Sequence, residues 1–94
     1  MRKVVLNFDG MNSKEEIQEY LAEQMEFPFY YGKNLDALYD CLTDISEPVA
    51  VACHMPEEEK DSYMEAYLDK LYGTFRDAEA DNGNLAVFFG HLLY

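Results

Sequence analysis

Three short apolar runs divide the chain and constrain its fold more than any other feature. KVVLNF at residues 3–8, VAVAC at 49–53 and LAVFF at 85–89 have the β-branched and aromatic residues typical of buried strands. Longer segments of helical character separate them. Strands that alternate with helices form a parallel sheet, and a run without a polar face, such as VAVAC, is typical of a central strand covered on both sides. We therefore predict an α/β fold with a three-stranded parallel sheet.

Two helices are predicted between the first and second strands. Ser13 and Glu16 have the spacing of a capping box, and apolar residues follow at helical period as far as Pro28, which should stop the first helix. The second helix is predicted at residues 35–44, with Asn34 as its N-cap.

The segment between the second and third strands, residues 56–82, is also helical in character. Pro56 and glutamates 57–59 suit a helix N-terminus, and Ser62 begins a second capping-box pattern. We expect a short helix, a restart near Ser62 and a longer helix that ends near residues 82–83. The predicted order is strand, helix, helix, strand, helix, helix, strand, with about four helices in a single domain over residues 1–94.

The charge balance narrows the choice of partner. The chain of 94 residues has 19 acids and 7 bases, for a net charge of −12. Nucleic acids and anionic membranes bind basic surfaces, so neither is an expected partner. A basic protein is the natural complement, and opposite charges would speed its association. The two cysteines have no CxxC spacing, and the N-terminus lacks an apolar stretch of signal-peptide length. We therefore expect a reduced, cytoplasmic protein.

The second predicted helix has acidic residues on one side. On a helical wheel, the side opposite its apolar residues holds Asp36, Asp40, Thr43 and Asp44, with Tyr39 at the boundary. A solvated helix face is the simpler interpretation. However, aspartate is a poor helix former, and no lysine or arginine within the helix offsets the repulsion among these side chains. We call Asp36, Asp40 and Asp44 the acidic strip and predict that it binds a partner.

Four aromatic residues precede this helix. Phe27 and Phe29 are expected to pack beneath the sheet. Tyr30 and Tyr31 lie next to Gly32, and tyrosine beside acidic groups is a frequent composition of protein interfaces. We expect Tyr30 and Tyr31 to belong to the same binding surface as the acidic strip.

A catalytic site is the main alternative to a binding surface. Cys41 could pair with His54 or His91, but it falls on the apolar side of its helix, where a cysteine behaves as a small buried hydrophobe. Carboxylates on an open helix face lack the desolvated pocket that tunes pKa values. Consecutive glutamates 57–59 point in different directions and make a weak metal site. The sequence therefore predicts no enzyme, no cofactor and no metal.

The stretch YYGKNLDALYDCLTD, residues 30–44, resembles the signature of the barstar family, intracellular inhibitors of a secreted bacterial ribonuclease. The match is dense from Leu35 to Thr43, and a looser agreement extends over nearly the whole chain. The resemblance implies a three-stranded parallel sheet with helices. It also implies that the second helix and the adjoining loop enter the active site of a basic extracellular ribonuclease in a 1:1 complex.

The resemblance assigns a role to particular residues. Asp40 would occupy the place of an RNA phosphate among the arginines of the enzyme, and Asp36 would meet further basic groups. Asp77 corresponds to a family glutamate at the rim of the contact. The other residues implied to line the contact are Tyr30, Asn34, Leu35 and Thr43, with Tyr31 nearby.

Three positions depart from the family pattern. Tyr39 and Ile45 stand where the family often has tryptophan, and Asp44 stands where barstar has glycine. We include Tyr39 and Asp44 in the predicted contact surface. These departures leave the choice of target open. The target could be a different basic nuclease or a toxin of another kind. A separate alternative is an adaptor or regulatory module that has this fold and binds a basic protein that is not a nuclease.

Overall fold

The computed structural model describes residues 1–56 and 59–90. The elements in chain order are β1 (Arg2–Asn7), α1 (Lys14–Gln24), α2 (Leu35–Thr43), β2 (Val49–His54), α3 (Ser62–Asp81) and β3 (Leu85–Gly90). β2 lies between β1 and β3, and both pairings are parallel. The predicted α/β fold with a three-stranded parallel sheet is therefore confirmed.

The predicted number of about four helices is wrong, because the described residues form three. The short helix expected after Pro56 includes residues 57 and 58, which lie outside the described part, and no helix is present at residues 59–61. α3 begins with Asp61 as its N-cap instead of Ser62, and the Asp61 carboxylate accepts a hydrogen bond from the Met64 amide at 2.8 Å. Since an N-cap residue has extended backbone angles, Asp61 separates the preceding residues from the helix.

One face of the sheet carries the hydrophobic core. Val4, Val51 and Val87 are partners in the register of the three strands, and all three side chains are buried. All three helices contribute to the cluster that covers this face, and the largest of their buried apolar residues are Ile17, Leu21, Leu38, Leu42, Met64, Leu68, Leu71 and Phe75. The helices are therefore held by the same apolar layer, and their outer faces are directed toward solvent.

The opposite face of the sheet is not covered by the described residues. Val5, Ala52 and Phe88 are register partners on this face, where Val5 is 47% and Phe88 59% exposed. The expectation that VAVAC is covered on both sides is therefore wrong for the part of the chain that the structure describes. Within VAVAC the residues on this face are Ala50 and Ala52, whose small side chains expose little apolar surface, so this run can lack polar residues without a second layer.

The C-terminal end of α1 turns the chain toward the site. Ser13 caps the other end, as predicted, and its hydroxyl accepts a hydrogen bond from the Glu16 amide at 3.2 Å. At the C-terminal end Glu26 has a φ of 56°, in the left-handed region. The amide of Phe27 donates to the carbonyl of Ala22 at 3.0 Å, a pattern that closes many helices. The reversal at Glu26 leads into residues 27–34, which we call the aromatic loop.

Candidate partner-binding surface

α2 is positioned by its first residue and by its apolar side. The side-chain oxygen of Asn34 accepts a hydrogen bond from the Ala37 amide at 2.7 Å, which confirms the predicted N-cap. Leu38 and Leu42 are completely buried against the core. Since these leucines fix the rotation of the helix about its axis, the side with Asp36 and Asp40 must face solvent. The helical-wheel assignment is confirmed.

The predicted site residues differ in their exposure. Tyr31 is buried, whereas Leu35, Tyr39 and Thr43 lie at the boundary between core and surface. The exposed ones are Tyr30, Asn34, Asp36, Asp40, Asp44 and Asp77. The structure therefore presents six of the ten predicted contact residues directly to solvent.

The end of α2 is held by a residue that the sequence analysis did not single out. Asn82, which follows α3, is almost fully buried. Its side-chain amide donates to the carbonyl of Leu42 at 2.9 Å and to that of Ile45 at 3.0 Å. These two carbonyls lie in the last turn of α2 and just after it, where helix carbonyls lack partners within the helix. Asn82 thus fixes the segment that contains Asp44.

A side-chain hydrogen bond connects α2 to α3. The hydroxyl of Tyr39 on α2 donates to the carboxylate of Asp81. This hydrogen bond, followed by desolvation and the negative charges of Asp81, Asp77 and Asp40, raises the pKa of the Tyr39 hydroxyl. The charges of three carboxylates therefore act on one phenol group, and the acidic surface continues from α2 onto α3.

Asp77 on α3 is among the residues predicted from the sequence to contact a partner, and Asp81 is not. The two aspartates are four residues apart, which places them on the same face of a helix one turn from each other. This spacing was the available signal that Asp81 accompanies Asp77. Both side chains are exposed, so the acidic surface consists of the acidic strip together with Asp77 and Asp81.

The tip of the aromatic loop projects into solvent. The amide of Tyr31 donates to the carbonyl of Pro28 at 2.9 Å, which closes a turn with Phe29 and Tyr30 at its centre. Phe29 is 100% and Tyr30 75% exposed. The expectation that Phe29 packs beneath the sheet is wrong, because a side chain in the centre of this turn points away from the core. Phe27, by contrast, packs on the Tyr31 ring with 4.7 Å between ring centroids.

Tyr31 differs from its neighbour Tyr30. Its side chain is only 7% exposed, and its hydroxyl donates a hydrogen bond to the side-chain carbonyl of Gln18 on α1. Burial, together with the nearby Cys41 and Tyr67, raises the pKa of the Tyr31 hydroxyl. Tyr31 was expected beside Tyr30 on the binding surface, but its side chain lies within the core and holds the aromatic loop there.

An open cleft of about 540 Å³ lies between the aromatic loop and the end of α2. Tyr30, Asp40 and Asp44 line it together with Arg2 and Glu26. Arg2 forms an ion pair with Glu26, with 3.0 Å between the guanidinium nitrogen and the carboxylate oxygen. The basic group at the cleft therefore already has an acidic partner, and the other carboxylates remain available for a cation brought by another molecule.

The candidates for catalysis and metal binding are Cys41 and the histidine and acidic side chains. Burial, followed by the charges of Asp40 and Asp44, raises the pKa of the Cys41 thiol, which disfavours the nucleophilic thiolate. Within residues 1–56 and 59–90 no three histidine, cysteine or acidic side chains are grouped as metal ligands would be. None of the described helices has the length and hydropathy needed to span a bilayer. Glu57, Glu58 and His91 lie outside the described residues.

A comparison with protein families matches residues 1–91 to the model described as Barstar (barnase inhibitor). The chain belongs to the barstar family. The chain is also 28% identical over 81 residues to a protein of Bacillus subtilis (strain 168) named "Putative ribonuclease inhibitor YrdF", an alignment that covers 86% of this chain and 89% of that protein. The family match includes the aromatic loop, α2, Asp44 and Asp77, and thus every predicted contact residue. Membership of an inhibitor family agrees with the prediction that the chain is not an enzyme.

Proposed function

We propose that this protein inhibits a basic ribonuclease by inserting α2 and the aromatic loop into its active site. The observation that carries the proposal is the acidic surface, which two packed helices present beside an exposed aromatic tip. Membership of the barstar family supports an inhibitory role, and so does the name of the Bacillus subtilis relative.

Inhibition would proceed by phosphate mimicry. A ribonuclease that acts on RNA needs cationic groups to hold the phosphate diester, and a carboxylate can accept the same charge-assisted hydrogen bonds. Asp40 lies between Asp36 and Asp44 along the acidic strip and lines the cleft beside Tyr30. Asp40 would therefore take the place of the phosphate, and Asp36 would contact a second basic group.

Rigidity of α2 favours tight binding, because side chains that are already ordered lose less entropy when they bind. Leu38 and Leu42 are completely buried, and Asn82 holds the carbonyls at the end of the helix. In the free protein the like charges on α2 repel one another. Arginine or lysine side chains of a ribonuclease would relieve this repulsion, so binding would remove an unfavourable contribution to the free energy of the unbound inhibitor.

The charge of the chain suits a partner of opposite sign. With a net charge of −12, the protein would attract a basic enzyme before contact, and added salt should slow the association. We propose that the enzyme is a secreted ribonuclease, that the complex is 1:1, and that the inhibitor protects the cytoplasm in which the enzyme is made.

Titration of the protein into assays of basic bacterial ribonucleases tests the proposal. Stoichiometric loss of RNA cleavage is expected for at least one such enzyme. Asp40→Asn should weaken inhibition about ten- to hundredfold, since hydrogen bonds between charged groups contribute roughly 1.5–3 kcal/mol. Glu15→Gln is the matched control, because it removes one exposed charge from α1, outside the proposed contact.

Two results would contradict the proposal. If no basic ribonuclease is inhibited at stoichiometric concentration, the inhibitory role is wrong. If Asp40→Asn and Glu15→Gln weaken inhibition equally, net charge rather than the acidic strip explains binding. Capture of a basic protein without nuclease activity, in a manner that depends on Asp40, would instead indicate an adaptor module.

A further inference from the structure

Gln18 on α1 is a buried polar residue, with only 2% of its surface exposed. Its side-chain nitrogen donates a hydrogen bond to the hydroxyl of Tyr67 on α3 at 2.7 Å. Its side-chain oxygen accepts a hydrogen bond from the hydroxyl of Tyr31 in the aromatic loop. One amide group therefore links α1, α3 and the loop that precedes α2.

The chemistry of this amide fixes how the two tyrosines must be oriented. The nitrogen of Gln18 can only donate, so the Tyr67 hydroxyl acts as its acceptor. The oxygen can only accept, so the Tyr31 hydroxyl must donate to it. Because a buried amide without partners is costly, rotations that break either bond are disfavoured. The Tyr31 hydroxyl also lies 3.5 Å from the carbonyl of Asn34 within the loop, and Gln18 supplies the closer of its two acceptors. The position of the Tyr31 hydroxyl therefore depends on a residue outside the loop.

Tyr31 is held at its backbone as well as at its hydroxyl. The Tyr31 amide donates to the carbonyl of Pro28 at 2.9 Å, which closes the turn, and the ring of Phe27 packs on the ring of Tyr31. The exposed residue Tyr30 precedes Tyr31 directly, and the N-cap residue Asn34 follows three positions later. A movement of the Tyr31 side chain would therefore affect Tyr30 and Asn34, which both belong to the proposed contact surface.

We propose that Gln18 is a positioning residue for partner binding. It does not touch the partner, because it is buried, and it acts by holding the aromatic loop through Tyr31. Its effect on inhibition rests on the proposed function, whereas its effect on the order of the loop does not. Loss of Gln18 should thus loosen the turn at residues 28–31 and the start of α2 while the sheet stays intact.

The first test replaces Gln18 with methionine, which has a similar length and no hydrogen-bonding amide. Amide hydrogen exchange is measured under native conditions at Tyr31, which reports the turn, and at Ala37, which reports the N-cap of α2. Gln18→Met should speed exchange at both amides by about threefold to tenfold, as expected for the loss of one hydrogen bond. The amide of Val51 in the central strand serves as the internal reference for global stability.

A pair of tyrosine variants separates positioning from stability. Tyr31→Phe and Tyr67→Phe each remove one hydroxyl that is hydrogen-bonded to Gln18, but only Tyr31 belongs to the aromatic loop. Tyr31→Phe should speed exchange at residues 31 and 37 and raise the dissociation rate of an inhibited ribonuclease about threefold to tenfold. Tyr67→Phe should change the exchange of these amides and the dissociation rate by less than about twofold, because the bond between Gln18 and Tyr31 remains.

The possible outcomes are distinct. The positioning role is wrong if Tyr31→Phe and Tyr67→Phe speed amide exchange in the loop equally. It is also wrong if Gln18→Met speeds exchange at the Val51 amide as much as at the Tyr31 amide. Faster loop exchange without a change in dissociation rate would show that Gln18 orders the loop but does not serve binding, which also contradicts the proposal. If the unmodified protein inhibits no ribonuclease, the proposed function fails, and the exchange measurements still decide whether Gln18 orders the loop.

Discussion

The hydroxyl of Tyr39 donates a hydrogen bond to the carboxylate of Asp81, and this bond joins α2 to α3 across 42 residues of chain. The charges of Asp40 on one helix and Asp77 on the other also raise the pKa of the Tyr39 hydroxyl. The Tyr39 hydroxyl therefore makes a polar connection between the two acidic helices.

Removal of the Asp81 carboxylate should lower the pKa of the Tyr39 hydroxyl toward the ordinary value for tyrosine, because the hydrogen bond to Asp81 is the largest cause of its rise. Asp77→Ala should lower it less, since Asp77 acts only through its charge. The measurement is an alkaline absorbance titration of Asp81→Ala and Asp77→Ala, each compared with the same variant that also carries Tyr39→Phe. Equal shifts in the two variants would contradict the importance of the hydrogen bond.

The stability of the fold should fall in alkaline solution because of Cys53. Burial raises the pKa of this thiol from 9.0 to about 12, so the unfolded chain loses the proton before the folded protein does. The contribution of the buried Cys53 thiol to the free energy of unfolding is complete below pH 9 and is lost as the pH rises toward 12. Between these values one such group lowers the free energy of unfolding by about 1.4 kcal/mol per pH unit.

Denaturant unfolding of reduced protein at several alkaline pH values measures this slope. Cys53→Ala removes the titrating group and should make the slope shallower, although the variant is less stable at neutral pH because of the cavity that it leaves. Tyr31 and Tyr72 also have raised pKa values through burial and add to the loss at higher pH. An unchanged slope in Cys53→Ala would contradict the assignment.

Asn82→Ala should destabilise the protein by about 1–3 kcal/mol, because the carbonyls of Leu42 in the last turn of α2 and of Ile45 just after it each lose a hydrogen bond from the buried side chain. Asn84→Ala is the matched control, since Asn84 donates to the carbonyl of Ile45 from 3.3 Å and is less buried. Chemical denaturation of both variants checks the difference. If the two substitutions cost the same, the carbonyls of α2 do not depend on Asn82.

The tip of the aromatic loop should contribute to binding and not to folding. Phe29→Ser should leave the free energy of unfolding within about 0.5 kcal/mol, because the side chain is fully exposed. The same substitution at Phe27, two residues earlier, should destabilise the fold, since this ring packs on Tyr31. Phe29→Ser should nevertheless weaken inhibition of a ribonuclease. Thermal unfolding and inhibition assays of both variants distinguish a role in folding from a role in binding. An inhibition constant unaffected by Phe29→Ser would show that the tip of the loop is not part of the contact.

Local patterns in the sequence were enough to predict the elements that local interactions determine. Ser13 and Asn34 cap their helices through bonds to amides three residues later, a distance that a sequence pattern can display. The positions of Leu38 and Asp40 on opposite sides of α2 follow from helical period alone. The start of α3 was predicted less well, because Asp61 and Ser62 are both good capping residues and the pattern does not choose between them.

The sequence by itself determined the strands, most of the helix boundaries and the exposed acidic strip, because these depend on spacing along a few turns of chain. Only the tertiary structure decided that Phe29 is exposed while Tyr31 is buried, since the two faces of a turn cannot be told apart from composition. It also decided that Gln18 contacts Tyr31, and that Asp81 contacts Tyr39. These pairs come together only when the helices pack on one face of the sheet, and that packing is a property of the folded chain as a whole.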